Sequence, residues 1–267
     1  MRSVIQDKNH CRRDGGAIWR RPLEIMDEPE IFISDADDSH QDRNNQDEYA
    51  GVSAAEIVHG YLETNTFAGS LAVVAADPKR VYQLLITDCV NPIGIYGMVL
   101  FDEFIREWRV VFVDDQFVCT EEGELAFGKS TTPNELWVGL IEKCFAKFIG
   151  GFDNIKGMTY SQGLQILAGG EQLTLHISDT SQVYGSLGVL ELYTKMKAFF
   201  DRGYVMGLSA PKRDAENVSV LGLVAGDAYT VTNMRRVGVT YLVQLQNPFA
   251  DSEWEGMFYI RIYISFY

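Results

Sequence analysis

Apolar residues recur at helical spacing most regularly over residues 136–149, and this stretch predicts a long amphipathic helix. Thr132, Pro133 and Glu135 precede it and have the side chains of a reciprocal helix cap, so we expect the helix to begin at Pro133. Gly150 ends the apolar pattern, as a left-handed C-terminal cap does. A well-marked helix therefore lies in the middle of the chain.

Two β-rich runs, 95–101 and 108–113, flank a polar turn at 102–107 and predict an antiparallel hairpin. Ahead of the hairpin, residues 70–85 have the composition of a helix, which Pro78 must kink or divide into two segments. The first half of the chain is therefore mostly helical, with one hairpin.

Beyond residue 170 the pattern changes to short apolar runs bounded by turn residues, and one helical stretch interrupts them at 187–200. The predicted strands are 173–177, 203–208, 218–224, 228–231 and 239–245. Strands grouped in one half and helices in the other are typical of an α+β protein with an antiparallel sheet layer.

The first fifty residues are polar and rich in charge, and such a composition buries too little apolar area to offset its ordering entropy. We expect a flexible lead-in over residues 1–50, in which only 31–33 dock against the rest. A helical subdomain over 51–170 and a β-rich subdomain over 171–267 would follow.

The formal net charge of −14 narrows the set of partners, because a strongly acidic surface repels phosphate backbones. Nucleic acid is therefore not an expected partner. No apolar run is long enough to span a membrane, and the charged N-terminus lacks the apolar region of a signal peptide. The four cysteines form no CxxC pair, so we expect reduced thiols in a cytoplasmic protein.

Five blocks of the sequence, in the same order, resemble the protease core of the calpain family. They are residues 94–97, 107–115, 134–147, 222–231 and 246–256. The resemblance covers about residues 55 to 256. It implies a papain-like α+β fold with a helical subdomain and an antiparallel, barrel-like β subdomain. It also implies descent from a thiol peptidase.

In enzymes of this kind a cysteine at a helix N-terminus attacks the substrate carbonyl, a histidine activates the cysteine, and an asparagine orients the histidine. By the resemblance, Ser70, Asp227 and Asn247 stand at these three positions, and Thr64 stands where a glutamine donates to the oxyanion. An aspartate is a far weaker base than imidazole, and its negative charge opposes an oxyanion. The ordinary structural alternative is a helix cap for Ser70 and a turn residue for Asp227.

Two functions follow from this set of residues. The first is an inactive pseudoprotease that binds a peptide or protein segment in the cleft between its subdomains, or that associates with cytoskeletal proteins. The alternative is an active calcium-dependent endopeptidase with an unusual Ser/Asp/Asn site. Turnover of a peptide substrate distinguishes them.

Calcium enters through the resemblance alone, since calpain cores are usually activated by it. Glu135 and Glu253 match glutamates that supply calcium ligands in the two subdomains. For Glu135 the helix cap described above is the structural alternative. The apolar, aromatic stretch 257–267 no longer resembles the family, and we expect the C-terminus to be truncated there.

Overall fold

The computed structural model describes residues 18–33, 49, 51–60, 64–120, 122–174, 189–209, 219–220, 223–224, 228–238 and 240–246. Within these ranges α-helices are combined with antiparallel strand pairs, which confirms the α+β class. By its internal contacts the chain divides into two compact units, Met1–Gly170 and Glu171–Tyr267. No helix in the described ranges has the length and apolar character needed to cross a bilayer.

The first unit contains eleven of the regular elements that lie in the described ranges. They are β1 (Ile18–Arg20), α1 (Pro22–Ile25), β2 (Ile57–Val58), α2 (Asn65–Ala75), α3 (Pro78–Leu84), β3 (Ile95–Asp102), β4 (Glu107–Asp114), β5 (Phe117–Cys119), β6 (Lys129–Ser130), α4 (Trp137–Ile149) and α5 (Tyr160–Ala168). Strand β1 pairs with β5, β2 with β6 and β3 with β4, each antiparallel.

Helix α4 lies at the centre of the first unit, because every residue from Trp137 to Ala146 is buried. Phe145 on α4 meets Phe67 on α2, with ring centroids 5.1 Å apart. The inner face of the β3–β4 hairpin adds three fully buried side chains, Tyr96, Met98 and Leu100. A single apolar core therefore supports α2, α4 and the hairpin.

The start of α4 differs from the prediction. The helix begins at Trp137 rather than Pro133, because Asn134 has a φ of 66° and interrupts the right-handed backbone. Glu135 consequently lies before the helix and does not form the predicted cap. The C-terminal prediction is confirmed, since α4 ends at Ile149 and Gly150 takes the left-handed conformation with φ 96°.

The hairpin is confirmed, with paired residues running from Ile95 opposite Asp114 to Asp102 opposite Glu107. The helix predicted over 70–85 is wrong at its start, since α2 already begins at Asn65. The expected break at Pro78 is present, because Pro78 is the first residue of α3.

Residues 18–33 differ from the expected flexible lead-in, because they form β1, α1 and an extended segment against the first unit. The Leu136 amide donates to the Glu30 carbonyl over 3.0 Å, and the Trp137 amide donates to the Ile31 carbonyl over 3.2 Å. Ile31 is 2% exposed, in agreement with the docking expected at 31–33.

The second unit contains α6 (Val189–Asp201), β7 (Gly207–Ser209), β8 (Ser219–Val220), β9 (Leu223–Val224), β10 (Ala228–Val237) and β11 (Thr240–Gln246). Strands β11, β10 and β7 form an antiparallel sheet in that order, and β8 pairs with β9. The buried cluster of this unit joins α6 to β10 and β11 through Leu192, Met196, Val231, Met234 and Val243.

Most of the strands predicted in the second half have counterparts, with shifted bounds. The exceptions in the described ranges are residues 173–174 and 203–206, which form no strand. The predicted helix at 187–200 corresponds to α6, which begins at Val189 in the described part of the chain.

Candidate functional site

The N-terminus of α2 is the place in the first unit where helix geometry favours a nucleophile. Thr64 is the N-cap residue, and its carbonyl accepts the Ala68 amide over 3.0 Å. The first amides of a helix have no partner within the helix and create a positive field at this end. Asn65 is exposed and Thr66 is partly exposed, so solvent reaches this end of the helix.

Ser70 lies more than one turn inside α2 and is 0% exposed. Its hydroxyl donates to the Thr66 carbonyl over 2.7 Å and lies 3.2 Å from the Tyr160 carbonyl oxygen of α5. Ser70 Oγ also stands 2.3 Å from the point where a Cβ on Gly163 would be. Ser70 therefore lacks the exposed, N-terminal placement that the resemblance requires of a nucleophile, and it is not a helix cap.

Thr64, the predicted oxyanion position, is 1% exposed. Its hydroxyl lies beside the Glu142 carboxyl of α4 but makes no hydrogen bond of good geometry. A hydroxyl enclosed in this way points into the core rather than toward a bound substrate. The structure thus places Thr64 and Ser70 in the interior of the first unit.

Glu142 is a buried carboxyl that the sequence analysis missed. It is 0% exposed, and its Oε2 accepts the Gly128 amide over 2.6 Å, while Oε1 has no hydrogen-bond partner. Loss of solvation raises the pKa of Glu142 to about 7, although the nearby Thr64 hydroxyl and the Gly128 amide both lower it. The charged sequence Glu142-Lys143 within an otherwise apolar helix was the available signal.

The described cysteines do not provide an activated thiol. Cys144 lies inside α4, where loss of solvation raises the pKa of its thiol to about 12. Burial also raises the pKa of the Cys119 thiol in β5. Cys89 is exposed but belongs to a loop. Within the described ranges, no cysteine occupies the first turn of a helix, where a thiolate is stabilised.

The remaining predicted site residues, Asp227, Asn247 and Glu253, lie outside the described residues. His59 is exposed, and its Nδ1 lies 3.2 Å from the Gly60 carbonyl oxygen. In the described ranges, Thr64, Thr66 and Ser70 lie along one end of the same helix, from the N-cap of α2 to its second turn.

Glu135, the predicted calcium ligand of the first unit, is 3% exposed and makes two hydrogen bonds in the protein. Its Oε1 accepts the Ile33 amide over 2.9 Å, and its Oε2 accepts the Trp137 indole N–H over 2.9 Å. Loss of solvation raises the pKa of Glu135, an effect that these donors and Ser130 oppose. Each carboxylate oxygen thus accepts one hydrogen bond and keeps a further lone pair, and the calcium role of Glu135 stays a prediction.

Groups of three or more His, Cys, Asp or Glu side chains placed to hold a metal are absent from the part of the chain that the structure describes. Calcium takes six to eight oxygen ligands, and backbone carbonyls and waters supply many of them. The calcium site that the resemblance implies therefore stays a prediction.

A sequence profile described as "Calpain family cysteine protease" matches residues 1–261, nearly the whole chain. The chain belongs to the calpain family. It is 30% identical over 241 residues to the calpain-type cysteine protease ADL1 of Oryza sativa subsp. japonica, covering 89% of this chain and 10% of that protein. It is 28% identical over 272 residues to Calpain-5 of Caenorhabditis elegans, covering 92% of this chain and 39% of that protein.

A third member of the calpain family, the calpain-type cysteine protease DEK1 of Arabidopsis thaliana, is 30% identical over 247 residues. That alignment covers 89% of this chain and 10% of the plant protein. The chain thus spans about a tenth of the plant calpains and about two fifths of the nematode protein. The family assignment rests on the profile match.

Proposed function

We propose that this calpain-family chain is a catalytically inactive pseudoprotease that acts by binding a peptide or protein segment. The observation that carries the proposal is that, within the described ranges, no cysteine lies in the first turn of a helix. Ser70, the position that the resemblance gave to the nucleophile, lies in the interior instead, with its hydroxyl held by backbone carbonyls of α2 and α5. A buried hydroxyl that already donates within the core cannot attack a substrate carbonyl.

The geometry of α2 supports a different residue as the counterpart of the family's cysteine. Thr66 is the second residue of the helix and is partly exposed, and Asn65 before it is exposed, so these two residues have the placement that the mechanism requires. The oxyanion donor was predicted six residues before the nucleophile, and the same spacing counted back from Thr66 reaches Gly60. We therefore propose Thr66 and Gly60 as the vestigial nucleophile and oxyanion positions.

As the oxyanion position counted back from Thr66, Gly60 adds to the case for inactivity. A Cβ at this position would lie 2.3 Å from the Ala126 carbonyl oxygen and 2.5 Å from Phe127 Cα. Both neighbours are backbone atoms, which cannot rotate away as a side chain can. Position 60 therefore offers no side-chain donor to an oxyanion, and such a donor contributes roughly 3 kcal/mol or more to catalysis.

The base required by a threonine hydroxyl is also missing from the proposed set. Asp227 replaces the histidine by the resemblance, and a carboxylate is about 2.6 pKa units less basic than imidazole. Without a thiolate, an imidazole or an oxyanion donor, little of the catalytic machinery remains. Association with cytoskeletal proteins is one form that the proposed binding role could take.

The first test locates the helix N-terminus by thiol chemistry. Single substitutions Thr66→Cys and Ser70→Cys are compared in a background in which Cys11 and Cys89 are serine. We expect the Thr66→Cys thiol to react with a thiol reagent in the native protein, with a pKa below about 8.5, because the helix N-terminus stabilises the thiolate.

Ser70→Cys should react only after denaturation, since that position is fully buried. Full labelling of both variants in guanidinium chloride is the control for intact thiols. The reverse order of reactivity in the native protein would return the nucleophile position to Ser70.

The second test is peptide hydrolysis with and without calcium, using casein and a fluorogenic peptide. The proposal predicts no turnover by the wild-type chain. Turnover that copurifies with the protein and disappears in Thr66→Ala or Ser70→Ala would establish the competing function, a calcium-dependent endopeptidase. Family membership is the observation that supports that competitor.

A further inference from the structure

The outer face of the β3–β4 hairpin is apolar and partly open to solvent. At one end Phe101 is buried, and the Trp108 ring lies close to Gly169 at the end of α5. Alternate side chains of β4 point to this outer face, namely Trp108, Val110 and Phe112, which are 48%, 50% and 54% exposed. The antiparallel register places Phe101, Val99 and Gly97 of β3 opposite these three residues. The apolar stripe therefore runs along most of the hairpin.

Because Gly97 has no side chain, the apolar stripe continues over it from Phe112 to Ile86. A Cβ at Gly97 would stand 2.8 Å from Phe112 Cε1 and 3.5 Å from Ile86 Cβ, so the two side chains meet over the glycine. Ile86 and Ile95 are each 52% exposed. We call the surface formed by Ile86, Ile95, Trp108, Val110 and Phe112 the outer apolar face.

The outer apolar face is about as large as the largest apolar patch of a typical monomer. Five apolar side chains at about half exposure present roughly 400 Å² of apolar area. The largest apolar patch of a typical monomer is about 300–600 Å² and is often functional. The inner face of the same hairpin is already filled by the core, so a partner on this hairpin would contact the outer apolar face.

Partners that add a strand to the sheet are disfavoured at the end of the hairpin around Gly97, Phe112 and Asp114, because backbone groups there already have partners. On β4, Lys147 donates to the Phe112 carbonyl and Lys143 donates to the Asp114 carbonyl. On β3, the Ile86 amide donates to the Gly97 carbonyl over 2.9 Å. A partner must therefore dock on the face rather than at the edges.

We propose that the outer apolar face binds the same face of a second copy of this chain. Two such faces together present roughly 800 Å² of apolar area, and homodimer interfaces are about 65% apolar. The complete interface would then bury about 1,200 Å², at the lower end of the range for specific protein interfaces.

A two-fold arrangement suits the shape of the surface. Twisted sheets pack face to face through branched and aromatic side chains, and a two-fold axis near Val110 brings Trp108 of one copy against Phe112 of the other. The contact is thus reciprocal, and Val110 meets its own counterpart at the centre.

The net charge of the chain distinguishes this apolar dimer from binding through opposite charges. Each copy has a net charge of −14, so the two copies repel each other at low ionic strength. Apolar self-association should therefore tighten as salt rises from roughly 50 to 500 mM. Binding that depends on attraction between opposite charges would weaken over the same range.

Analytical ultracentrifugation of the full chain tests the proposal. We expect the apparent mass to double between roughly 10 and 300 μM protein, as suits a small interface. Val110→Glu should weaken dimerisation by about 100-fold, because two carboxylates would meet at the axis. Leu23→Glu, at a residue 75% exposed in α1, is the matched control and should leave dimerisation unchanged.

A wild-type chain that stays monomeric throughout this range would overturn the proposal and indicate a different occupant. Equal dimerisation by wild type and Val110→Glu would overturn it too, as would equal weakening by the Leu23→Glu control. Circular dichroism verifies that each variant is folded.

A second measurement does not depend on the stability of a charged variant. Val110→Cys, with Cys11 and Cys89 replaced by serine, should form covalent dimers with a short bismaleimide crosslinker. Leu23→Cys in the same background should not. Equal crosslinking yields at the two positions would contradict a dimer through the hairpin.

Discussion

Ser70 on α2 and Gly163 on α5 lie at a point of close approach between the two helices. A Cβ on Gly163 would overlap Ser70 Oγ at 2.3 Å, so the two helices approach each other at a residue that has no side chain. The hydroxyl of Ser70 uses the same closeness to reach the Tyr160 carbonyl. Ser70 is thus a helix-packing residue.

This contact predicts the effect of a single methyl group. Gly163→Ala should destabilise the protein by about 1–3 kcal/mol, because the strain of overpacking exceeds the gain in helix propensity. Gly157→Ala is the control, since a Cβ there meets nothing within 4 Å, and its free energy of unfolding should change by less than about 0.5 kcal/mol. Equilibrium unfolding in urea measures both, and equal losses would contradict the packing.

Glu142 links the stability of the protein to pH. Its pKa of about 7 in the folded protein is above the ordinary value of 4.5, so the folded protein binds more protons than the unfolded chain between these values. Stability from this group is therefore complete below about pH 4.5 and is lost as pH rises through about 7. The loss amounts to about 3 kcal/mol.

Glu142→Gln should remove this dependence. We expect little change at pH 5 and a stabilisation of about 1–3 kcal/mol at pH 8, because the amide carries no charge to bury. Urea unfolding at the two pH values measures the difference, with the exposed Glu107→Gln as control. A pH profile of Glu142→Gln parallel to that of wild type would refute the role of Glu142.

At the scale of elements, the start of α4 is fixed by a partner that is distant in sequence. The Glu135 side chain binds the Ile33 amide and the Trp137 indole, while the Leu136 and Trp137 amides bind carbonyls of the same extended segment. The segment around Ile31 and Ile33 is therefore joined to the central helix.

Removing the Glu135 carboxylate should detach the segment around Ile31 and Ile33 from helix α4. Glu135→Ala leaves the Ile33 amide and the Trp137 indole N–H without acceptors, and we expect a loss of about 2–3 kcal/mol. Because each Glu135 oxygen already accepts a hydrogen bond and the described ranges hold no cluster of metal-binding carboxylates, the midpoint of thermal unfolding should be equal within about 1 °C in calcium and in EGTA. A rise in calcium that Glu135→Ala abolishes would show that Glu135 does bind the metal.

The elements that could be predicted from sequence are those whose signals are local. The 95–113 hairpin has alternating apolar residues around a polar turn, and Gly150 ends α4 with the conformation that glycine favours. The start of α4 could not be predicted, because Thr132, Pro133 and Glu135 have the composition of a cap while the Glu135 side chain bonds to Ile33 instead.

The candidate site was predicted less well than the fold for the same reason. Gly69 and Ser70 interrupt the apolar pattern and suggested a helix start, whereas Phe67, Leu71 and Val74 already follow helical spacing from Asn65 onward. The burial of Glu142 depends on Gly128 and Thr64, whose proximity the sequence pattern does not contain.

At the scale of the whole molecule, the two compact units have separate buried clusters, one around α4 and the other joining α6 to β10 and β11. Units with separate cores need not unfold together. We therefore expect two transitions in differential scanning calorimetry of the full chain.

One substitution in each unit shows which transition belongs to which unit. Glu135→Ala should lower only the transition of the first unit, and Met234→Ala, which removes a buried side chain from the other cluster, should lower only the second. One common transition that both substitutions shift would show that the units unfold cooperatively.

The crowding of Gly60 affects whether evolution could reverse the proposed inactivation. Point mutations can return a cysteine to position 66 or a histidine to position 227, but a glutamine at position 60 would collide with the Ala126–Phe127 backbone. A revertant with the complete ancestral constellation would first have to shift that loop, and no single codon change accomplishes this. Under this proposal, substitutions at positions 66 and 227 alone do not restore activity, and later selection acts on what the scaffold binds.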